Sequence, residues 1–231
     1  MNYLKFEPIK LEGEDVSDGR KTLYVDVTPQ KSCIYNCIFC TREKCHMGPV
    51  CDFGDVEDSL TALREEIQKT TPDIVFLFAQ GDPLTNDKID RIIDCCHQCG
   101  VPVRTIANGL LLGREYRMRE ANMCDEVVGC LAMVREEPFQ KLHRPYPGLS
   151  CEKKLESLIE FSQQYKGKFI FRIVMIKGWN DSEEDLAIIK SLMKKVRYDE
   201  LSIQTRPNTK GGDRFAVEDD RMEEIRKYLT E

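Results

Sequence analysis

Hydrophobic and polar positions along the chain follow two alternating periods. Short runs of β-branched or aromatic residues stand at 23–27, 74–78, 101–107, 127–131, 169–176 and 201–204. Each is compact and apolar enough for a strand covered on both faces. Between these runs, apolar residues recur at helical spacing, as in Val56, Leu60, Leu63 and Ile67. Leu155, Leu158 and Ile159 repeat the pattern, as do Leu186, Ile189, Leu192 and Val196. Asn180-Asp181-Ser182 followed by Asp185 reads as a helix start, with a polar cap and an acid in the first turn. Strand and helix in alternation imply parallel strands joined by right-handed crossovers. Six such units are too few to close an eight-unit barrel. The expected fold is α/β: an open partial (β/α)6 barrel of parallel strands with helices on its outer face. The charged stretch 1–22 is expected to form an N-terminal arm or hairpin, and 23–231 a single core domain.

In parallel α/β architectures ligands bind at the carboxyl ends of the strands. The informative residues fall there. Cys33-Ile-Tyr-Asn-Cys37-Ile-Phe-Cys40 follows the first run, Gly81-Asp82-Pro83 the second and Asn108-Gly109 the third. Lys177-Gly178 follows the fifth and Arg206-Pro207-Asn208 the sixth. Three thiolates on one loop can hold three irons of a cubane cluster and leave the fourth iron without a protein ligand. A small molecule can bind and react at such an iron. Two plainer readings stand beside this one: three ligands of a zinc site, or thiols that only pack. Zinc sites more often use two well-separated CxxC-like pairs than three cysteines on one loop.

Composition narrows the setting. The 231 residues suffice for one full core, and no 18-residue apolar run is present to span a membrane. Polar and charged residues follow Met1 where a secretion signal would be apolar. Eleven cysteines in a chain of this size fit a reducing cytoplasm better than a disulfide scaffold. The net charge of −6 disfavours nucleic acid as the substrate, since phosphate binding wants a basic field.

The spacing CxxxCxxC, with Phe39 before the last cysteine, resembles the signature of the radical S-adenosylmethionine enzymes. The resemblance implies one 4Fe–4S cluster on Cys33, Cys37 and Cys40, with S-adenosylmethionine chelating the open iron. One electron would cleave the sulfonium, and the resulting 5′-deoxyadenosyl radical would abstract hydrogen from a substrate. Ala79-Gln80-Gly81-Asp82-Pro83-Leu84 resembles the family's glycine-rich motif after the second strand, with Asp82 where Glu is usual. Ile106-Ala107-Asn108-Gly109 resembles a Thr-Asn-Gly strand end, with Ala107 for Thr.

A longer likeness, through Lys141-Leu142-His143-Arg144-Pro145 and Met175-Ile176-Lys177-Gly178-Trp179-Asn180, is to the group containing the wyosine-base synthases. There Cys130 stands in place of a Ser and Ala132 in place of an Asp, which implies a substrate other than tRNA guanine. Wyosine synthesis also needs a second cluster, and no cysteine precedes Cys33. The expected cofactor pocket comprises Phe39, Gln80, Gly81, Asp82, Pro83, Asn108, Cys130, Arg172 and Ile176. An electron donor such as ferredoxin or flavodoxin is implied, and the substrate is open among protein, peptide and small molecule. A tRNA-modifying enzyme, a glycyl-radical activating enzyme and a zinc-held scaffold are the alternatives.

Some residues stand outside the signature. Cys45, Cys51 and Arg206 are candidates for an auxiliary or substrate-facing role, and the basic segment 205–214 reads as a loop at the mouth. Cys96 is in register with Ile89, Ile92 and Ile93 and should be core, whereas Cys95 and Cys99 share a helix face. Alternation places Arg172 opposite Phe171 and Ile173, hence inside the barrel, for an anionic ligand or an ion pair with Asp26 or Asp82.

Overall fold

β1 (Thr22–Asp26) is followed by a short parallel pair, β2 (Ser32–Cys33) and β3 (His46–Met47), which no apolar run announces. Then come β4 (Ile74–Phe78), β5 (Val103–Ala107), β6 (Glu126–Leu131), β7 (Lys168–Met175) and β8 (Glu200–Thr205). The structure is a computed structural model, and it describes residues 1–6, 18–40, 46–206 and 213–231. Six strands form one parallel sheet in the order β1-β4-β5-β6-β7-β8, with β1 and β8 at its edges, so the barrel is open. The third long strand begins at Val103 rather than Val101. Pro102 has no N–H for the ladder, and its carbonyl instead accepts from Val75 N at 2.9 Å. Of the expected N-terminal arm, Lys5 forms an antiparallel bridge with Asp26, and residues 7–17 lie outside the described residues.

The helices are α1 (Glu57–Thr70), α2 (Ile89–Gln98), α3 (Met118–Ala121), α4 (Glu136–His143), α5 (Cys151–Gln164), α6 (Glu183–Met193) and α7 (Asp219–Thr230). Ser182 caps α6 by accepting from Asp185 N, as its sequence expects. Phe161 of α5 packs on Phe169 of β7 with ring centroids 5.6 Å apart, so Phe169, Phe171 and Ile173 face the helices. By the period of two, Ile170, Arg172 and Val174 face the barrel interior. Tyr24, Phe76 and Phe78 form a ring chain of the same parity on β1 and β4.

The amino end of the barrel is closed by charge. Arg104 and Glu126 are register partners on β5 and β6, with Arg104 Nε 2.7 Å from Glu126 Oε2. Arg20 reaches Glu126 at 2.8 Å, and Asp18 bonds both arginines. Buried ions demand such pairing, because removing one partner typically costs about 3–5 kcal/mol.

At the opposite end, the loops after β1, β4 and β5 are locked together. Asp82 N donates to Ser32 O at 2.9 Å. The approach is so close that a Cβ on Gly81 would lie 1.9 Å from that same carbonyl oxygen. Gly81 is therefore fixed by the loop that carries Cys33, not by ligand approach alone. Asp82 is buried, caps the 3-10 turn Pro83–Thr85 through Leu84 N at 3.0 Å, and accepts Asn108 N at 2.8 Å. The carboxylate thus spends both oxygens on backbone amides. A shorter acid than Glu suits that inward task. Burial raises Asp82 to about 6, against the pull of the two amides. The unfolded carboxyl titrates near 4, so the folded chain holds the proton more tightly. This contribution to stability is full below about 4 and is lost as the pH rises through about 6.

Two outcomes are expected. Gly81→Ala should lower the urea unfolding free energy by about 3 kcal/mol, the upper part of the overpacking range, and an unchanged midpoint would show that the loop tolerates a methyl. Infrared titration should show a carboxyl changing near pH 6 in the wild type and absent from Asp82→Asn.

Candidate functional site

The loop after β1 sits at the carboxyl ends of the strands because its apolar residues are anchored there. Ile34 and Tyr35 are buried, while Cys33 before them and Cys37 and Cys40 after them are half-buried. On one side the loop bonds to the Gly81-Asp82 turn. On the other it pairs with the end of α4: Asn36 N donates to His143 O and Ile38 N to Leu142 O, each at 2.9 Å. Tyr146 N donates to Ile34 O at 2.8 Å, and Tyr35 bridges to Pro145. The Leu142–Tyr146 segment is thus the floor under the cysteine loop.

Each thiol has its own nitrogen neighbour. Tyr35 N donates to Cys33 Sγ at 3.4 Å, His143 Nδ1 lies 3.1 Å from Cys37 Sγ, and Lys31 Nζ donates to Cys40 Sγ at 3.3 Å. Burial pushes the Cys37 thiol up to about 12, while the charges of Lys154, Lys31 and Arg206 pull it back. Ligation would therefore need the metal's own charge to displace the proton. Burial, helped by the charge of Lys154, holds His143 well below its ordinary value, so the ring is neutral. It stacks on Tyr35 at 4.9 Å and meets Phe139 edge-on at 5.4 Å. Among the described residues, no three His, Cys, Asp or Glu side chains converge closely enough to hold a single metal ion. A cubane spaces its thiolates more widely than one zinc does.

The other expected site residues divide by location. Phe39 lies between the rings of His143 and Phe215, 6.1 and 6.2 Å away. Gln80 N donates to Thr28 Oγ1, and Pro83 opens the buried turn after β4. Asn108 takes part through its backbone and through Oδ1, which accepts Leu110 N. Its Nδ2 is buried without a hydrogen-bond partner, so a ligand acceptor can meet it. Cys130, half-buried, pairs in register with Arg172, which is 2% exposed and pairs onward with Ser202. Arg206 directly follows β8, close enough for its charge to act on Cys37. First and last strands therefore both serve one mouth. Ile176 stands apart from these: it is fully buried, and its N–H bonds Asn180 Oδ1 at 2.6 Å, making it a support for the strand end.

Two groups of thiols lie outside the signature. Cys51 pairs through its backbone with Thr85 O and Asp87 N; burial raises its thiol, against a hydrogen bond with Ser32. Cys95 and Cys96 are buried on α2, with Cys95 Sγ bonded to Leu60 O of α1 and Cys99 just past the helix. Cys45 and 207–212 of the basic mouth loop lie outside the described residues.

Lys31, His143 and Lys154 were not singled out from the sequence. Lys154 is 1% exposed on α5 and stands 5.8 Å from the Tyr35 ring; burial lowers its pKa, while Cys151, Cys130 and Cys37 raise it. A signal for it existed. Cys151, Lys154, Leu158 and Phe161 recur at helical spacing, which puts a lysine on the buried stripe.

The half-buried thiols and the partnerless amide of Asn108 fit an iron–sulfur cluster with a small polar ligand beside it. No described helix is long and apolar enough to cross a membrane. A Brachyspira hyodysenteriae protein described as GTPase Obg is 26% identical over 213 residues, covering 90% of this chain and 31% of that protein. A Helicobacter pylori UPF0026 protein is 28% identical over 191 residues, covering 80% of this chain and 62% of that protein. The chain thus spans under two thirds of the length of these relatives. The solved structure of TYW1 with a lysine-pyruvate adduct bound superposes with a TM-score of 0.67 at 14% identity, over 90% of this chain and 72% of that one, a likeness of fold. The Radical SAM superfamily model matches residues 27–188, from the end of β1 through the cysteine loop and into α6, and the chain belongs to that superfamily.

Proposed function

We propose that this chain is a radical S-adenosylmethionine enzyme carrying one 4Fe–4S cluster. The observation that carries the reading is the loop of Cys33, Cys37 and Cys40. It is pinned by backbone bonds on both sides and presents three thiols, each with a nitrogen neighbour, at the carboxyl ends of the strands. When bound, the cluster supplies the single electron that splits the sulfonium of S-adenosylmethionine.

The chain's own residues do the rest. The three cysteines hold iron, and Phe39 offers a ring edge or face to the adenine. The Gln80–Pro83 turn, kept in place by Ser32 and Asn108, shapes the wall for the amino-acid part of the ligand. Asn108 Nδ2 supplies a donor. Cys130 and Arg172 line the interior rung beneath, with Ile176 as a packing support. Arg206 brings positive charge to the mouth. The substrate that gives up hydrogen is a protein, a peptide or a small molecule. A ferredoxin or flavodoxin in the cytoplasm delivers the electron.

The test is anaerobic reconstitution. The expected product is a brown protein with about four irons and four sulfides per chain that yields 5′-deoxyadenosine from S-adenosylmethionine after dithionite reduction. Cys33→Ala, Cys37→Ala and Cys40→Ala should each reduce cleavage to background. Cys51→Ala should retain it, since that residue lies outside the loop that carries the three cysteines. A colourless chain that keeps zinc would refute the reading.

A further inference from the structure

The hydrogen-bond donors around the three thiols are of three different kinds. Cys33 receives a peptide N–H from Tyr35, within its own loop. Cys37 meets the imidazole of His143, which comes from the last turn of α4. Cys40 meets the Nζ of Lys31, a buried lysine that precedes β2. A thiolate can only accept, so once Cys37 is ligated Nδ1 of His143 must carry the proton. The rest of the ring agrees with that tautomer. Nε2 is buried and has no hydrogen-bond partner, and a bare lone pair is less costly there than an orphaned N–H. The stack on Tyr35 and the edge contact with Phe139 leave the ring little freedom to turn. Lys154 adds a buried positive charge near the same thiols, and among the described residues no carboxylate forms an ion pair with it.

Reduction adds one negative charge to a cluster and its thiolates. Donors and cations aimed at the sulfurs stabilise the reduced state more than the oxidised one, which raises the potential. We propose that Lys31 and His143 are tuning residues that raise the reduction potential of the cluster, Lys31 through Cys40 and His143 through Cys37. The inference rests on the proposed cluster but concerns neither S-adenosylmethionine nor substrate. Its subject is how readily the electron enters. The charged donor should have the larger effect, because hydrogen bonds with an ionised partner are stronger than neutral ones.

The test uses the full chain, reconstituted anaerobically without S-adenosylmethionine, in a reductive titration followed by electron paramagnetic resonance. Iron content and thermal unfolding are measured on the same samples. Lys31→Met should disfavour reduction about tenfold in the one-electron equilibrium, a negative shift of about 59 mV. Lys31→Arg should return most of the way to wild type, a rescue that a purely structural role would not give. His143→Phe keeps the stacked ring without a donor and should shift the potential in the same direction by less. Should Lys31→Met fail to retain iron, Lys31→Gln keeps an N–H without charge and should show a smaller negative shift. Wild-type potentials in the Lys31 and His143 variants at full iron content would overturn the proposal while leaving the enzyme reading intact. A wild type that assembles no cluster would overturn both.

Discussion

The candidate site depends on a contact between two pieces of backbone. Gly81 lies against the Ser32 carbonyl with no room for a side chain, and the adjacent Asp82 N–H bonds that same oxygen. Asp82 then carries the constraint further, since its buried carboxylate holds the Asn108 amide. Three loops from three strands are thereby fixed relative to one another by contacts of the chain itself. A buried carboxylate is costly, and two amide donors are what make it tolerable here. The position of the cysteine loop is thus decided by the turn after β4 as much as by the loop's own residues.

The two ends of the barrel treat charge in opposite ways. At the amino end, Arg104, Glu126, Arg20 and Asp18 neutralise one another in a closed network, as buried ions must. At the carboxyl end, Lys31 and Lys154 are buried beside thiols, and the charge of Arg206 reaches Cys37. A chain with a net charge of −6 thereby concentrates positive charge where three cysteines meet. That distribution suits a site that takes on negative charge, whether from thiolates, from an added electron or from an anionic ligand.

Much of the architecture is legible in the residue pattern. The strand runs at 74–78, 127–131 and 169–176 lie within about one residue of the observed strands, because strands buried on both faces need unbroken apolar sequence. Ser182 and Asp185 mark the start of α6 for a purely local reason, a side-chain cap. Local chemistry also corrects the reading at Val101, where Pro102 delays the strand. The short pair β2 and β3 escapes such reading, since two residues carry no periodicity.

The sequence by itself determined the alternation of strand and helix, the openness implied by six units, and the three thiols whose spacing points to iron. These are local properties, encoded in period, turn chemistry and the reach of one loop. Only the tertiary structure decided that Gly81 and Asp82 lock the neighbouring loops together and that the Ile176 amide is held by Asn180. It alone brought His143, more than a hundred residues from Cys37, within 3.1 Å of that sulfur. Such partnerships arise where separate strands end at one face of a sheet, and distance along the chain carries no record of them.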